Sequence, residues 1–333
     1  MSTSKRHIRI LLLLTAALML LLAGCERVDG PTPQPETQEE IRLNAAVWQM
    51  MQGAPSRRVS TYDNDAALQA GTFKTYAYVD GSTDLYIDGS TVSYVTDHWE
   101  FNDGKHYWPL TSALNFFCYM SSDLINTYCT FDKTAYSDPG NLDGYSEDCP
   151  RIVCSGLPVA ITSNNDNTKE MIYAYTANQS KADPGATGVT MNFKHPFARV
   201  YFKISDASGT AVRINSVKVE DIFNSGTCTF NGTTTTWTPA GTQDNDFVIT
   251  CSPVLSSANK SVGPFLVLPQ TFATNRTFTV NATWTEWSLL ENQEMTASVN
   301  VGSWQPGYSY TYTFTLDQYT LKVETTSTYT EQW

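Results

Sequence analysis

MNFKHPFARVYFKI, residues 191–204, decides the fold class. In its second half Ala198, Val200, Phe202 and Ile204 alternate with Arg199, Tyr201 and Lys203. A period of two is that of a strand with one face buried and one wet. The same period recurs outward in both directions. Towards the C-terminus it returns at Phe278, Val280, Ala282 and Trp284, and again at Tyr308, Tyr310, Tyr312, Phe314 and Leu316. Towards the N-terminus it appears at Ile41, Leu43, Ala45 and Val47, followed by 73–79, 85–87, 91–95 and 114–120, with turns such as DGS and NDG between them. No long helical period competes. The chain reads as all-β, two β-sandwich domains in series over 41–185 and 186–333, parted by the polar, Gly- and Pro-bearing stretch before residue 188.

The beginning of the chain has a different grammar. Lys5, Arg6 and Arg9 precede a largely apolar run from Ile10 to Leu22, and Leu22-Ala23-Gly24-Cys25 follows. Such a run is shorter than the roughly 20 residues of a membrane span and has the layout of an export signal over 1–24. Small residues before a cysteine are those of a lipoprotein signal, which makes Cys25 the lipidation site and a lipid the membrane anchor. Residues 25–40, with three prolines in ERVDGPTPQPETQEE, read as an extended tether.

Charge then excludes a class of partner. Three of the 21 Lys and Arg lie in 1–24, leaving 18 against 33 Asp and Glu, a net of −15. With no basic stripe, nucleic acid is not a partner. The six cysteines after Cys25 permit three bridges. Cys228 with Cys251 would join neighbouring strands, Cys149 with Cys154 would close a small loop, and Cys118 sits in an apolar run as a small buried hydrophobe. No CxxC spacing suggests a redox or zinc site.

Set in order, KHYWPL and ALNFFCYMSS, then KEMIYAYT, MNFKHPFARVYFKI, PFLVLPQTF and GSWQPGYSYTYTFTL resemble the fimbrillin family, the lipoprotein pilins of type V pili. The resemblance spans essentially the whole mature chain. It implies two transthyretin-like β-sandwiches, agreeing with the strand reading. It also gives meaning to APSRRVSTYD, residues 54–63, whose Arg57-Arg58 is the only adjacent basic pair beyond the signal. In that family a trypsin-like, arginine-specific protease cuts after an arginine in the loop behind the first strand, and the strand then leaves. Arg57 and Arg58 match that loop, and 41–51, with Ile41, Leu43, Ala45 and Val47, matches the removable strand. The replacement is expected from the C-terminal segment 319–333 of another subunit, where Tyr319, Leu321 and Val323 alternate with polar residues. The function implied is a structural pilin subunit of a surface fimbria, anchored at the outer membrane and serving adhesion to a host or microbial receptor, with other pilin subunits as partners.

Catalytic chemistry finds no foothold in the sequence. There is no GxSxG, HExxH, phosphate-binding or dinucleotide motif, and no cofactor or metal is expected. His195 reads as a ring packed at the domain junction and bonded to backbone. His98 and His106, flanking Trp99 and Trp108, read as a solvated hairpin. Asp138, Asn141, Asp143, Glu147 and Asp148 have the donors of a calcium loop without the EF-hand spacing. Trp284 and Trp287 would suit the alternative function, a surface glycan-binding lipoprotein with a stacking platform, although such residues more often fill a core.

Overall fold

The structure is a computed structural model that describes residues 38–47, 64–82, 84–122, 125–133, 150–162, 170–183, 188–207, 211–230, 234–250, 254–255, 260–284, 292–317, 320–325 and 331–332. Residues from Glu40 onward form one compact unit. Among the described residues no helix is long and apolar enough to cross a membrane. As the alternation predicts, the architecture is all-β.

The chain opens with β1 (Leu43–Val47), a five-residue helix α1 (Asp65–Gln69), β2 (Thr72–Val79), β3 (Leu85–Val95), β4 (His98–Phe101) and β5 (Leu114–Ser121). It continues through β6 (Cys129–Asp132), β7 (Arg151–Ser155), β8 (Ala160–Thr162), β9 (Met171–Gln179) and β10 (Val189–Phe193). Seven of these strands make one sheet in the order β10-β1-β4-β3-β2-β5-β9. Helix α1 is started by Asn64, whose side chain accepts from the Ala67 N–H, and it buries Leu68.

The second half supplies β11 (Ala198–Asp206), β12 (Val212–Ile222), β13 (Ser225–Phe230), β14 (Thr235–Ala240), β15 (Asn245–Thr250) and β16 (Val254–Leu255). Then come β17 (Lys260–Val267), β18 (Gln270–Thr271), β19 (Arg276–Trp284), β20 (Gln293–Val299), β21 (Ser303–Trp304), β22 (Tyr308–Asp317), β23 (Thr320–Thr325) and β24 (Glu331–Gln332). Sheet β17-β11-β22-β23 faces sheet β20-β19-β12-β15-β8, and their inward residues, Phe202, Phe278, Tyr312 and Trp284 among them, form one core. This is the sandwich foreseen from the alternation of 198–204 and 308–316.

Strand pairing crosses the expected boundary at 185/186 in both directions. β10, after it, pairs in parallel with β1, while β8, before it, pairs in parallel with β15. β13 and β14 join β7 and β6 in a four-stranded sheet, order β14-β13-β7-β6. That sheet covers the second face of the seven-stranded one, so Phe116 is buried in one core and its neighbour Phe117 in another. All of Leu114 to Cys118 is buried, which is why β5 reads as an apolar run and not an alternation.

Two cysteine expectations are corrected. Cys154 is bridged to Cys129, because β6 and β7 run antiparallel with those two residues directly opposite, 25 positions apart in sequence. Cys228 is a free, fully buried thiol facing Ile152 across β13 and β7, and so is not bridged to Cys251. Cys118 is free and buried, as its apolar surroundings in the sequence suggested. Burial pushes its thiol up to about 12 and that of Cys228 well above the ordinary value, so neither is a nucleophile. Cys149 and Cys251 lie outside the described residues.

Candidate functional site

The first strand is where the sequence reading and the geometry meet. β1 lies between two neighbours that hold it unequally. On one side it runs parallel to β10 in five consecutive pairs, from Leu43 opposite Val189 to Val47 opposite Phe193. On the other it pairs with β4 only at Leu43 and Trp99. Three further contacts supplement that weak side. The Ile41 N–H donates to the His106 carbonyl at 2.8 Å, Glu40 bridges to Tyr107, and the Val47 N–H donates to the Asp65 carboxylate at 3.0 Å.

Burial follows the alternation. Ile41, Leu43, Ala45 and Val47 are 2, 4, 6 and 7% exposed and belong to the core of the seven-stranded sheet. Fully burying an Ile, Leu or Val side chain contributes about 1.5–3 kcal/mol, so withdrawal of β1 uncovers several kcal/mol of apolar surface. It would also strip backbone groups of β10 of their partners. The start of β10 is shaped to this strand. Gly188 has φ +89, and a Cβ there would stand 2.5 Å from the Arg42 carbonyl oxygen, which accepts from the Val189 N–H at 2.8 Å. Only glycine lets the two backbones come so close.

Where β1 and β4 part, a groove of about 790 Å³ opens, its lining including Glu40, Arg42, Asp97, His98, Glu100 and Lys105. Lys105 Nζ bonds to Glu40 Oε2 at 2.8 Å. His98 donates from Nδ1 to the Asp97 carboxylate at 2.8 Å and from Nε2 to the Glu100 carboxylate at 2.7 Å, and these bonds raise its pKa above the ordinary imidazole value. Among the described residues no group of His, Cys, Asp or Glu is arranged to hold a metal ion. His98 is a solvated ion-paired side chain, and His106 is held by Asp103 and Ser90.

The other end of the expected exchange is also visible in part. β23 is the edge strand of its sheet and folds back antiparallel on β22, with Leu321 opposite Leu316 and Val323 opposite Phe314. Leu321 is 9% exposed and Val323 packs on the same core. The C-terminal segment is thus seated on its own domain, and β24 continues the pairing at Tyr308 and Ser309. Tyr319 lies outside the described residues, as do Cys25, the Arg57-Arg58 pair, Trp48 to Met51 and the carboxylate-rich loop from Asp138 to Asp148.

Two expected surface or backbone roles give way to burial. Trp284 is 1% exposed in the sandwich core, so it offers no face for a sugar; Trp287 lies outside the described residues. His195 is buried as expected, but its Nδ1 bonds to the buried Glu170 carboxylate instead of to backbone, with Arg199 Nη2 at 3.9 Å from the same oxygen. Glu170 lies 25 positions from His195 in sequence. No local pattern joins them.

Comparison with known proteins places this geometry. The profile of the fimbrillin-like family matches residues 58–333, so β1 and everything before it precede the match. Among solved structures, a cell adhesion protein of Bacteroides ovatus superposes with a TM-score of 0.52 at 12% identity, covering 86% of this chain and 94% of that one. A fimbrial protein of Bacteroides vulgatus gives 0.50 at 12% identity, covering 86% and 98%. At such identity the likeness is one of fold. No curated protein matches the chain in sequence. With a profile match that runs unbroken to the last residue over a body of packed β-sheets, the chain belongs to the fimbrillin-like family.

Proposed function

We propose that this chain is a structural, pilin-type subunit of a surface fimbria that serves adhesion, and that it is not an enzyme. It is exported as a lipoprotein through Cys25, cut after Arg57 or Arg58, and freed of β1. It then receives a strand from a neighbouring subunit and donates its own segment 319–333 to another. The observation that carries this reading is the setting of β1: five pairs on one side, one on the other, and the arginine pair in the stretch that follows it. Cutting there separates β1 from the body of the fold without breaking any other described strand, and the vacated slot presents backbone groups and an apolar floor to a new strand. The family match, together with the fimbrial and cell-adhesion roles of the Bacteroides proteins of like fold, supports a surface fimbria as the destination.

The test is the N-terminus of the protein recovered from the cell surface, in the wild type and in an Arg57→Ala, Arg58→Ala variant. The wild type should begin at Arg58 or Val59 and occur in polymers; the variant should begin at Cys25 and remain monomeric. Polymers of the uncut variant at wild-type abundance would remove cleavage from the mechanism.

A further inference from the structure

The slot that β1 fills is not uniformly wide. Its inward positions are taken by Ile41, Leu43, Ala45 and Val47, large residues interrupted by one methyl group. The cause lies in the neighbours. Trp99 of β4 stands opposite Leu43 on one side of β1, and Phe193 of β10 stands opposite Val47 on the other. The diagonal joining them crosses β1 at Ala45. The ring of Phe73, from β2, lies 5.0 Å from the Trp99 ring and 5.2 Å from the Phe193 ring, and all three are buried. The curl of the seven-stranded sheet therefore brings an aromatic bridge over the middle of the slot, at the row occupied by Ala45 and Met191.

A strand that replaces β1 must pass under this bridge. It needs a small residue there, with aliphatic side chains two positions to either side for the rows of Leu43 and Val47. Packed interiors resist added methylenes more strongly than they reward them. The chain's own C-terminal segment does not meet the requirement. Residues 318–333, QYTLKVETTSTYTEQW, contain neither Ala nor Gly. Seating Leu321 in the row of Leu43 brings Val323 under the bridge; reversing the strand brings Leu321 there. Ser327 is small enough, but its neighbours at two positions are Thr325 and Tyr329.

We propose that Ala45 marks a selectivity point of the slot, and that the strand received there comes from a different protein, one carrying the pattern aliphatic–x–Ala or Gly–x–aliphatic in a free terminal segment. The proposal rests on the reading that β1 is replaced after cleavage. The chain is then a receiver for one kind of subunit and a donor to another, not a link in a polymer of itself alone.

The experiment uses the full protein, cleaved at Arg57-Arg58 and separated from its N-terminal fragment, with fluorescent peptides as probes. The reference peptide is residues 40–51 of this chain, compared with its A45L version and with a peptide of residues 318–333. The reference should bind, the A45L peptide should bind about tenfold more weakly or worse, and the 318–333 peptide should not displace the reference. Binding of the A45L peptide within twofold of the reference, or displacement by 318–333 at equal concentration, would overturn the selectivity while leaving strand replacement intact. Failure of the reference peptide itself to bind would overturn strand replacement, and the selectivity with it.

Discussion

Asp65, the first residue of α1, accepts a hydrogen bond from the backbone N–H of Val47, the last residue of β1, at 3.0 Å. The two are 18 positions apart, and the Arg57-Arg58 pair lies between them in sequence. A cut at the pair leaves the acceptor with the body and the donor with the departing strand, so this bond ties the cut end of β1 to the body alongside its pairing with Phe193. Asp65→Ala should cost about 0.5–1.5 kcal/mol of stability in the intact protein and should speed release of the N-terminal fragment after cleavage. Asp65→Asn, which keeps an acceptor oxygen, should restore most of the wild-type rate. Release followed by size-exclusion after protease treatment checks this; equal rates for Ala and wild type would show that the bond holds nothing.

Cys25 is expected to carry the lipid. Cys25→Ala should abolish metabolic labelling with a fatty acid and move the protein from the membrane fraction to the soluble one. Continued labelling of the variant would place the anchor elsewhere.

Leu321 and Val323 pack on the subunit's own core, so they have two roles under strand donation. Changing both to Asp buries charges without partners and should lower the stability of the sandwich by several kcal/mol. Truncation after Asp317 removes the donor together with the packing of β23 on the core, but without burying charge. The truncated protein should still accept the residue 40–51 peptide but should be lost from fimbriae recovered from cells. Normal incorporation of the truncated chain would locate donation outside its C-terminus.

The Cys129–Cys154 bridge closes a loop of 25 residues in the unfolded chain. Constraining a loop of that length stabilises a fold by about 3 kcal/mol. Reduction under mild conditions should lower the melting temperature by that equivalent, whereas Cys149→Ala should leave it unchanged if Cys154 is committed to Cys129. Thermal unfolding with and without reductant reads both. Cys118 and Cys228 should resist thiol reagents until the protein unfolds, since burial raises both thiols far above neutral pH.

His98, bonded first to Asp97 and then to Glu100, titrates above the ordinary imidazole value. It should therefore remain protonated, and positively charged, over a window extending above pH 6.5. Asp97→Asn with Glu100→Gln should bring its midpoint down, as measured from its ring protons by NMR. An unchanged midpoint would mean that the carboxylates do not hold the proton.

Most of the strands were legible in the chain because a half-buried strand writes its own period. Ile41 to Val47, Ala198 to Ile204 and Tyr310 to Leu316 each bury every second residue, with Arg199 and Thr315 buried besides, and that alternation needs no knowledge of the partner. The apolar rows of the slot were thus readable as a set. Which strands lie beside them was not, because pairing depends on contacts between distant residues. Nothing near Leu43 announces Val189 on one side and Trp99 on the other, and nothing near Val47 announces that the Phe73 ring lies against both Trp99 and Phe193. The same reason accounts for Cys129 opposite Cys154, for His195 against Glu170 and for Trp284 turned into the core. In each case the side chain's neighbours come from a distant part of the chain that only the packed sheets bring close. By itself the sequence determined an all-β chain with an alternating first strand and an arginine pair behind it. The tertiary structure decided that this strand is held unequally by its two neighbours, and which aromatic rings gather beside it, because curling a sheet brings together residues the chain keeps far apart.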